Sequence, residues 1–446
     1  MISDELFAQF KKKVEQNSER YIKDYQKIKE VVDQSSAIYE GEPVSFLYQP
    51  VFYRQQDIEE LKEIAGGMVD ILKKVIARYQ NDPVFRDYFK FPELMEELIL
   101  VDPGYDREFP MARFDIFYGP RQAKFCELNA DGTSGMNEAR VIQMCFHDSE
   151  VMKDFAEEYV YQTYELFYSW IDALEENFRQ FSGSEKAVEN TNLAIVDFSG
   201  EGVESEFEEF RQRFEKSGYN TFICDPRELE YKEHSLFYKQ QKIDVIYRRA
   251  TTSRLIERAA EIQDLLDAYR EGAVCVVGGF VSQIIHNKII FAILHDQQKV
   301  DFLTPEEQQF IAKHVPYTAV FKYSDSELRQ KVLDNKDNYI LKPQDWYACH
   351  GVYAGPDYTL SEWKEIIEDI KEQEYIVQEF CCPPQRKMLT IENGEYCFED
   401  YNVLTGVYLY NHEFNGIYNR AGRENIIGSV VESFTLPAFL IQTREG

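Results

Sequence analysis

The period of the hydrophobic positions changes several times along the chain. In the strongly charged first hundred residues, Ile58, Leu61, Ile64, Met68, Ile71 and Leu72 recur at helical spacing. This predicts a helical N-terminal region over 1–100. From Val101 to Asn129 the period drops to two. Arg113, Asp115 and Phe117 alternate with Phe114, Ile116 and Tyr118, and Glu127 and Asn129 alternate with Cys126 and Leu128. Side chains alternate between the faces of a strand, so two strands joined at Gly119-Pro120 are predicted. A five-residue loop from Gly119 to Ala123 sets Asp115 opposite Glu127 and Arg113 opposite Asn129; a slip of one residue would destroy that pairing. Met136 to Arg179 returns to a helical pattern. Its aromatic face (Phe155, Tyr159, Tyr161, Tyr164, Phe167, Tyr168, Trp170) is expected in the core.

The stretch from Phe181 to Asn192 is rich in Ser, Gly and Asn and marks a boundary. Beyond it come the apolar run Leu193–Phe198, a charged helical stretch to Lys216, the run Gly218–Cys224 and then Ile243–Arg248. This strand, helix, strand rhythm predicts a small parallel α/β domain. From about Gln283 the pattern is α+β to the end. The expected segments are therefore 1–100, 101–190, 191–282 and 283–446.

Composition narrows the partners. The formal net charge of -30 argues against nucleic acid and anionic membrane, both of which need positive patches. It favours cationic ligands such as polyamines only weakly. None of the eight cysteines forms a CxxC pair, so neither a disulfide framework nor a zinc site is indicated. No signal peptide is read at the N-terminus. The longest apolar run, Ala273 to Val281, is too short for a membrane span. A cytoplasmic, reduced protein is expected.

Several positions suit chemistry. Asp115, Glu127 and Asn129 on one hairpin face make an all-oxygen site suited to Mg²⁺, which takes its remaining ligands from water and phosphates. The same spacing suits a hairpin with a solvated face. Tyr339-Ile-Leu-Lys342-Pro343 is an apolar strand ending in a lysine beneath the loop Gln344–Gly351, where an ammonium can hold nucleotide phosphates. That loop is expected to close over a ligand, with Trp346 and Tyr347 packing down. Gln378 and Glu379 end another strand and could donate and accept at an adenine edge. Arg420 ends a long hairpin. Read singly, these are equally a surface cap, a strand terminus and a salt-bridge partner. Arg248 and Arg249 suit bidentate capture of a substrate carboxylate, or are surface charge beside Glu257.

The order of these segments resembles the circularly permuted ATP-grasp ligases, the group that includes the synthetase domain of glutathionylspermidine synthase. The resemblance covers roughly residues 100–430. It implies an α+β, circularly permuted ATP-grasp fold with a small α/β, pre-ATP-grasp-like domain. In an ordinary ATP-grasp chain the metal-binding strands come last. Here Arg113-x-Asp115 and Glu127-x-Asn129-Ala-Asp131 come first and the Lys-Pro strand near the end. The resemblance implies Asp115, Glu127 and Asn129 as Mg²⁺ ligands, Arg113 close to the transferred phosphoryl group, and Arg420 as the arginine of the closing Gly-x-x-x-Arg hairpin. It also implies Lys288, Lys342, Gln378 and Glu379 around ATP. The implied activity is ligation of a small-molecule carboxylate to an amine, a peptide or polyamine among the possible substrates, through an acyl phosphate. Relatives often carry a Gly-Gly-Lys-Gly type loop where this chain has Ala348-Cys349-His350-Gly351. The two non-glycine residues restrict backbone approach to phosphate, while His350 could supply a proton-dependent charge. A catalytically weakened nucleotide-binding or scaffold protein on the same fold is the alternative.

Overall fold

The long helix Gln55–Asn81 organises the N-terminal part of the molecule. Ile58, Leu61, Ala65, Met68, Leu72, Val75, Ile76 and Tyr79 form one buried stripe along it. Its first turn is closed by the Arg54 backbone N–H donating to Asp57 at 2.8 Å. It stops at Asp82, whose carboxylate caps the next short helix ahead of Pro83. The structure is a computed structural model that describes residues 4–120, 122–184, 190–346, 349–428 and 432–444.

The expected helical N-terminal region also contains short strands. Val51–Tyr53 lies parallel to Ala438–Thr443, which in turn pairs with Tyr159–Gln162. Helical spacing cannot reveal a strand of three residues whose partner lies almost four hundred positions away. Tyr159–Gln162 likewise interrupts the helical run expected over Met136 to Arg179, separating Met136–His147 and Glu150–Ala156 from Tyr168–Ser182. Of the aromatic face read there, Phe155, Phe167 and Trp170 are buried, whereas Tyr168 is exposed.

The hairpin Met111–Gly119 and Gln122–Asn129 forms one edge of the largest sheet. The neighbouring strands are Glu395–Tyr410, Glu413–Gly422 and Phe434–Leu436, all antiparallel. Asp115 faces Glu127 and Arg113 faces Asn129, but the turn is tighter than the five residues expected. Gly119 pairs with Gln122, and the difference is absorbed by a bulge: Ile116 pairs with Phe125, which leaves Cys126 without a ladder partner. Arg121 lies outside the described residues.

Two smaller sheets flank this one. Cys275–Val277, Val245–Arg248, Asn192–Val196 and Asn220–Cys224 form a parallel sheet in that order, packed against the helix Glu204–Lys216. The near-continuous burial of the first three is what a parallel sheet covered on both faces requires, whereas the edge strand Asn220–Cys224 exposes Asn220 and Ile223. Thr318–Phe321, Tyr375–Glu379, Tyr339–Pro343 and Tyr353–Ala354 form an antiparallel sheet around a separate core of Leu341, Trp363 and Val377. Among the described residues no helix is long and apolar enough to cross a membrane.

Candidate active site

The hairpin face carries two ion pairs and an amide that ties them together. Arg113 Nε and Nη2 donate to the two oxygens of Asp115 at 2.7 and 3.0 Å. Asn129 Nδ2 donates to Asp115 Oδ2 at 3.1 Å and reaches Glu127 Oε2 at 3.4 Å. Arg420 Nη2 stands 3.5 Å from Asp115 Oδ2, so two guanidiniums share one carboxylate. Burial works to lower the pKa of Arg113, but Asp115 more than offsets it and holds Arg113 charged. Gly406, the partner of Asp115 on the adjacent strand, makes room for this arrangement. A Cβ there would lie 2.8 Å from Arg113 Cδ and 2.9 Å from Asp115 Oδ1.

Two lysines approach the hairpin from distant segments. Lys288 Nζ pairs with Glu127 Oε1 at 2.8 Å and donates to the Trp346 carbonyl at 2.9 Å. Burial pushes the Glu127 carboxyl up, and Lys288 overrides it, bringing the pKa down to about 2. Lys342 Nζ donates to Gln378 Oε1 at 2.9 Å and to the Cys126 carbonyl at 3.2 Å. That carbonyl belongs to the bulged residue, so the bulge gives Lys342 an acceptor from a strand 216 positions away. Gln378 is tied into this network, its Nε2 donating to Thr318 Oγ1 at 2.9 Å, and it also lines the smaller cavity. A buried ammonium needs acceptors, and Gln378 supplies one. Glu379 is exposed at the strand end.

Two cavities meet at Glu127. The smaller, about 60 Å³, is lined by Phe117, Lys288, Lys342, Gln378, Glu379 and Leu404, among others. The larger, about 450 Å³, is bounded by Arg113, Asn129, Arg420, Tyr418, Glu138 and the loop Gly132–Gly135. Glu127 and Cys349 line both. Cys349 has a left-handed backbone (φ 62), and burial with Glu127 nearby pushes its thiol pKa up. His350 is exposed, and so is Trp346. Tyr347 and Ala348 of the expected closing loop lie outside the described residues.

Arg248 and Arg249 are buried rather than surface charge, and each is already paired with a carboxylate. Arg248 pairs with Asp131 at 2.6 Å and donates to the carbonyls of Gly278, Ala250 and Gly279. A bidentate clamp needs two free N–H groups, and the protein takes all three of its nitrogens. Arg249 lines the larger cavity but pairs with Glu206 at 3.0 Å and donates to Tyr247 and the Thr133 carbonyl. Glu206 also accepts the backbone N–H groups of Gly135 and Asn137, which caps the helix Met136–His147. These arginines thus fasten the parallel sheet to the Gly132–Gly135 loop. Gly406, Tyr418 and the Cys126 carbonyl were not singled out from the sequence. Only Phe117, in alternation with Asp115, carried a legible signal of facing the cleft.

The overall fold is shared with a glutathione synthetase-like effector from Globodera pallida. The two superpose with a TM-score of 0.59 at 11% identity, covering 94% of this chain and 96% of that one. A γ-glutamylcysteine synthetase homologue from Methylobacillus flagellatus KT aligns at a TM-score of 0.40 and 10% identity, over 84% of this chain and 87% of that one. No curated protein matches the sequence. The model of the glutathionylspermidine synthase pre-ATP-grasp family matches residues 11–302, more than half of the chain, and the chain belongs to that family.

Proposed function

We propose that the protein is an ATP-dependent carboxylate–amine ligase on a circularly permuted ATP-grasp fold. The observation that carries the reading is Glu127, which lines both cavities while paired with Lys288. A nucleotide in the smaller cavity and an acyl acceptor in the larger would meet across this one carboxylate. Family membership and the fold shared with a glutathione synthetase-like protein support ligase chemistry.

On this reading, Lys288 and Lys342 offset phosphate charge from opposite walls. Phe117, Leu404 and the strand end at Glu379 receive the base. Arg113 and Arg420, holding two positive charges against one carboxylate, stabilise the phosphoryl oxygens and the later tetrahedral oxyanion. The carboxylate substrate takes the phosphoryl group, an amine attacks the acyl phosphate, and phosphate leaves. Among the described residues no group of three or more His, Cys, Asp and Glu is arranged to hold a metal. The Asp115 and Glu127 carboxylates converge on the Asn129 amide nitrogen, and with that amide turned over its oxygen would join them as a donor set for a hard divalent ion. Mg²⁺ bound there would neutralise phosphate charge. Small-molecule carboxylates and amines, peptides or polyamines among them, are the proposed substrates.

The test is phosphate release from ATP against a panel of amines and carboxylates. Glu127→Gln and Asn129→Ala are expected to abolish it while circular dichroism stays native. Unchanged turnover in both variants would remove the assignment. The Ala348-Cys349-His350 loop favours a second reading, a weakened nucleotide-binding protein. Undetectable ATP binding, both in the natural protein and in an Ala348→Gly, His350→Lys variant, would establish that reading instead.

A further inference from the structure

A third cavity, of about 290 Å³, shares no lining residue with the two above. It lies between the helix Gln55–Asn81 and the tip of the hairpin Glu395–Tyr410 and Glu413–Gly422. Lys62, Asp70 and Lys73 face it from the helix, Arg107 from the segment before the first hairpin, and His412, Glu413 and Phe414 from the tip. In a chain of net charge -30, three cations and an imidazole converge here against two lining carboxylates.

The hairpin tip departs from turn chemistry to put His412 there. Asn411 and His412 are the two central residues of the turn, with φ of 46° and 75°. A two-residue turn with both central residues left-handed strongly prefers Asn-Gly. A histidine in the second position carries a Cβ into a region that disfavours it. The turn is anchored all the same: Asn411 Nδ2 donates to Glu176 Oε2 at 2.9 Å and to the Ala173 carbonyl at 3.1 Å. The His412 ring packs on Phe109, with centroids 4.2 Å apart. Only 7% of its side chain is exposed, yet among the described residues neither ring nitrogen has a hydrogen-bond partner. Glu108 Oε2 approaches Nε2 at 3.3 Å without hydrogen-bonding geometry. Arg107 Nε is also buried and unpartnered, and its Nη2 stands 3.6 Å from Glu176. Buried polar groups left unsatisfied are destabilising and rare, so a cluster of them beside a cavity calls for a ligand that completes it.

We propose that this cavity binds a small phosphate ester, its phosphate oxygens accepting from His412, Arg107 and Lys73. Lys62, whose Nζ lies 5.4 Å from the Phe414 ring, closes the rim. Asp70 and Glu413 would accept from hydroxyl groups on the rest of the molecule. Burial, with Arg107 and Lys73 close by, lowers the pKa of His412 to about 4. An anion between these groups would reverse that balance and raise it. The inference is independent of the ligase reading, because none of its residues belongs to that site.

The experiment uses the full chain and two probes, inorganic phosphate and glycerol 3-phosphate, with citrate and chloride at matched ionic strength. Binding is measured by calorimetry, and the histidine ring resonances by NMR. There are seven histidines, so the His412 signal is identified by its loss in His412→Gly. That variant installs the residue the turn prefers, which keeps the fold. Both phosphate probes are expected to move the His412 resonance and raise its pKa. His412→Gly and Arg107→Gln should each weaken binding roughly tenfold, as expected for losing one charge-assisted contact. Lys342→Met should leave this binding intact, which separates it from phosphate held at the nucleotide cavity. A His412 resonance that does not respond to phosphate would overturn the proposal. So would equal binding by His412→Gly and the natural protein, or citrate or chloride acting as well as phosphate.

Discussion

Two pairs of buried arginines differ in charge balance, and that difference separates a site from a strut. Arg248 and Arg249 each have a carboxylate of their own, Asp131 and Glu206. Arg248 spends its other donors on backbone and hydroxyl oxygens, and Arg249 does so with Nη1 while its Nε has no partner among the described residues. The result is a clamp of balanced charge. Arg113 and Arg420 share Asp115 alone, so one positive charge is left over at the wall of the larger cavity. Burial is the same in kind for both pairs. Of the two pairs, only Arg113 and Arg420 carry more positive charge than their carboxylate balances, and that excess is what can act on something that enters.

The largest effect expected on breaking this contrast is in stability. Arg248→Met would leave Asp131 buried without its partner, at a cost of about 3–5 kcal/mol. Urea denaturation measures it, and a loss below about 1 kcal/mol would mean that the clamp contributes little.

Lys288→Met comes next, at about 2–3 kcal/mol near neutral pH, because Glu127 keeps some exposure. The pH dependence has a definite sign. Glu127 has a folded pKa of about 2 against an ordinary 4.5, so its stabilisation is present above 4.5 and lost as pH falls towards 2. In the variant, burial is opposed only by the weaker pull of His286 and Lys342, so the carboxyl pKa should rise. Carboxyl ¹³C titration would detect this, and a pKa that stays near 2 would rule out Lys288 as its cause.

Gly406→Ala sharpens the comparison from the backbone side. The added Cβ meets Arg113 and Asp115 within 3 Å and should cost about 1–3 kcal/mol. ATP-dependent phosphate release should fall with it, since the displaced groups are those that face the cleft. Thermal denaturation and a phosphate assay on the same preparation test both halves.

Arg420→Met should have the smallest effect on stability, within about 1 kcal/mol, because Asp115 keeps its bidentate partner Arg113. Its effect on phosphate release should nevertheless be severe. A variant with full turnover would show that the leftover charge is not used.

Much of the hairpin is legible in the sequence alone. Period-two alternation puts Asp115, Glu127 and Asn129 on one face, but the pairing of Asp115 with Glu127 needs the Cys126 bulge, because the observed two-residue turn alone would set Asp115 opposite Cys126. The parallel strands Asn192–Val196, Asn220–Cys224 and Val245–Arg248 are equally readable as apolar runs, the first two separated by one charged helix, although the small antiparallel sheet of Leu229–Lys232, Ser235–Tyr238 and Gln241–Ile243 before the third was not. These features depend on pairings between neighbouring segments, from a few residues apart in the hairpin to 28 and 52 in the parallel sheet, where chain geometry leaves few alternatives.

What the sequence by itself determined is the local grammar: which residues share a face, where strands turn, and which short runs must be covered on both sides. Tertiary structure alone decided which charges are saturated. The Cys126 bulge that gives Lys342 an acceptor, the Lys288–Glu127 pair, the capture of Gln378 and the burial of Arg248 beside Asp131 all join segments more than thirty positions apart. An ion pair or buried donor depends on which group arrives opposite it and on how much water remains, and neither quantity is written in the spacing of either segment.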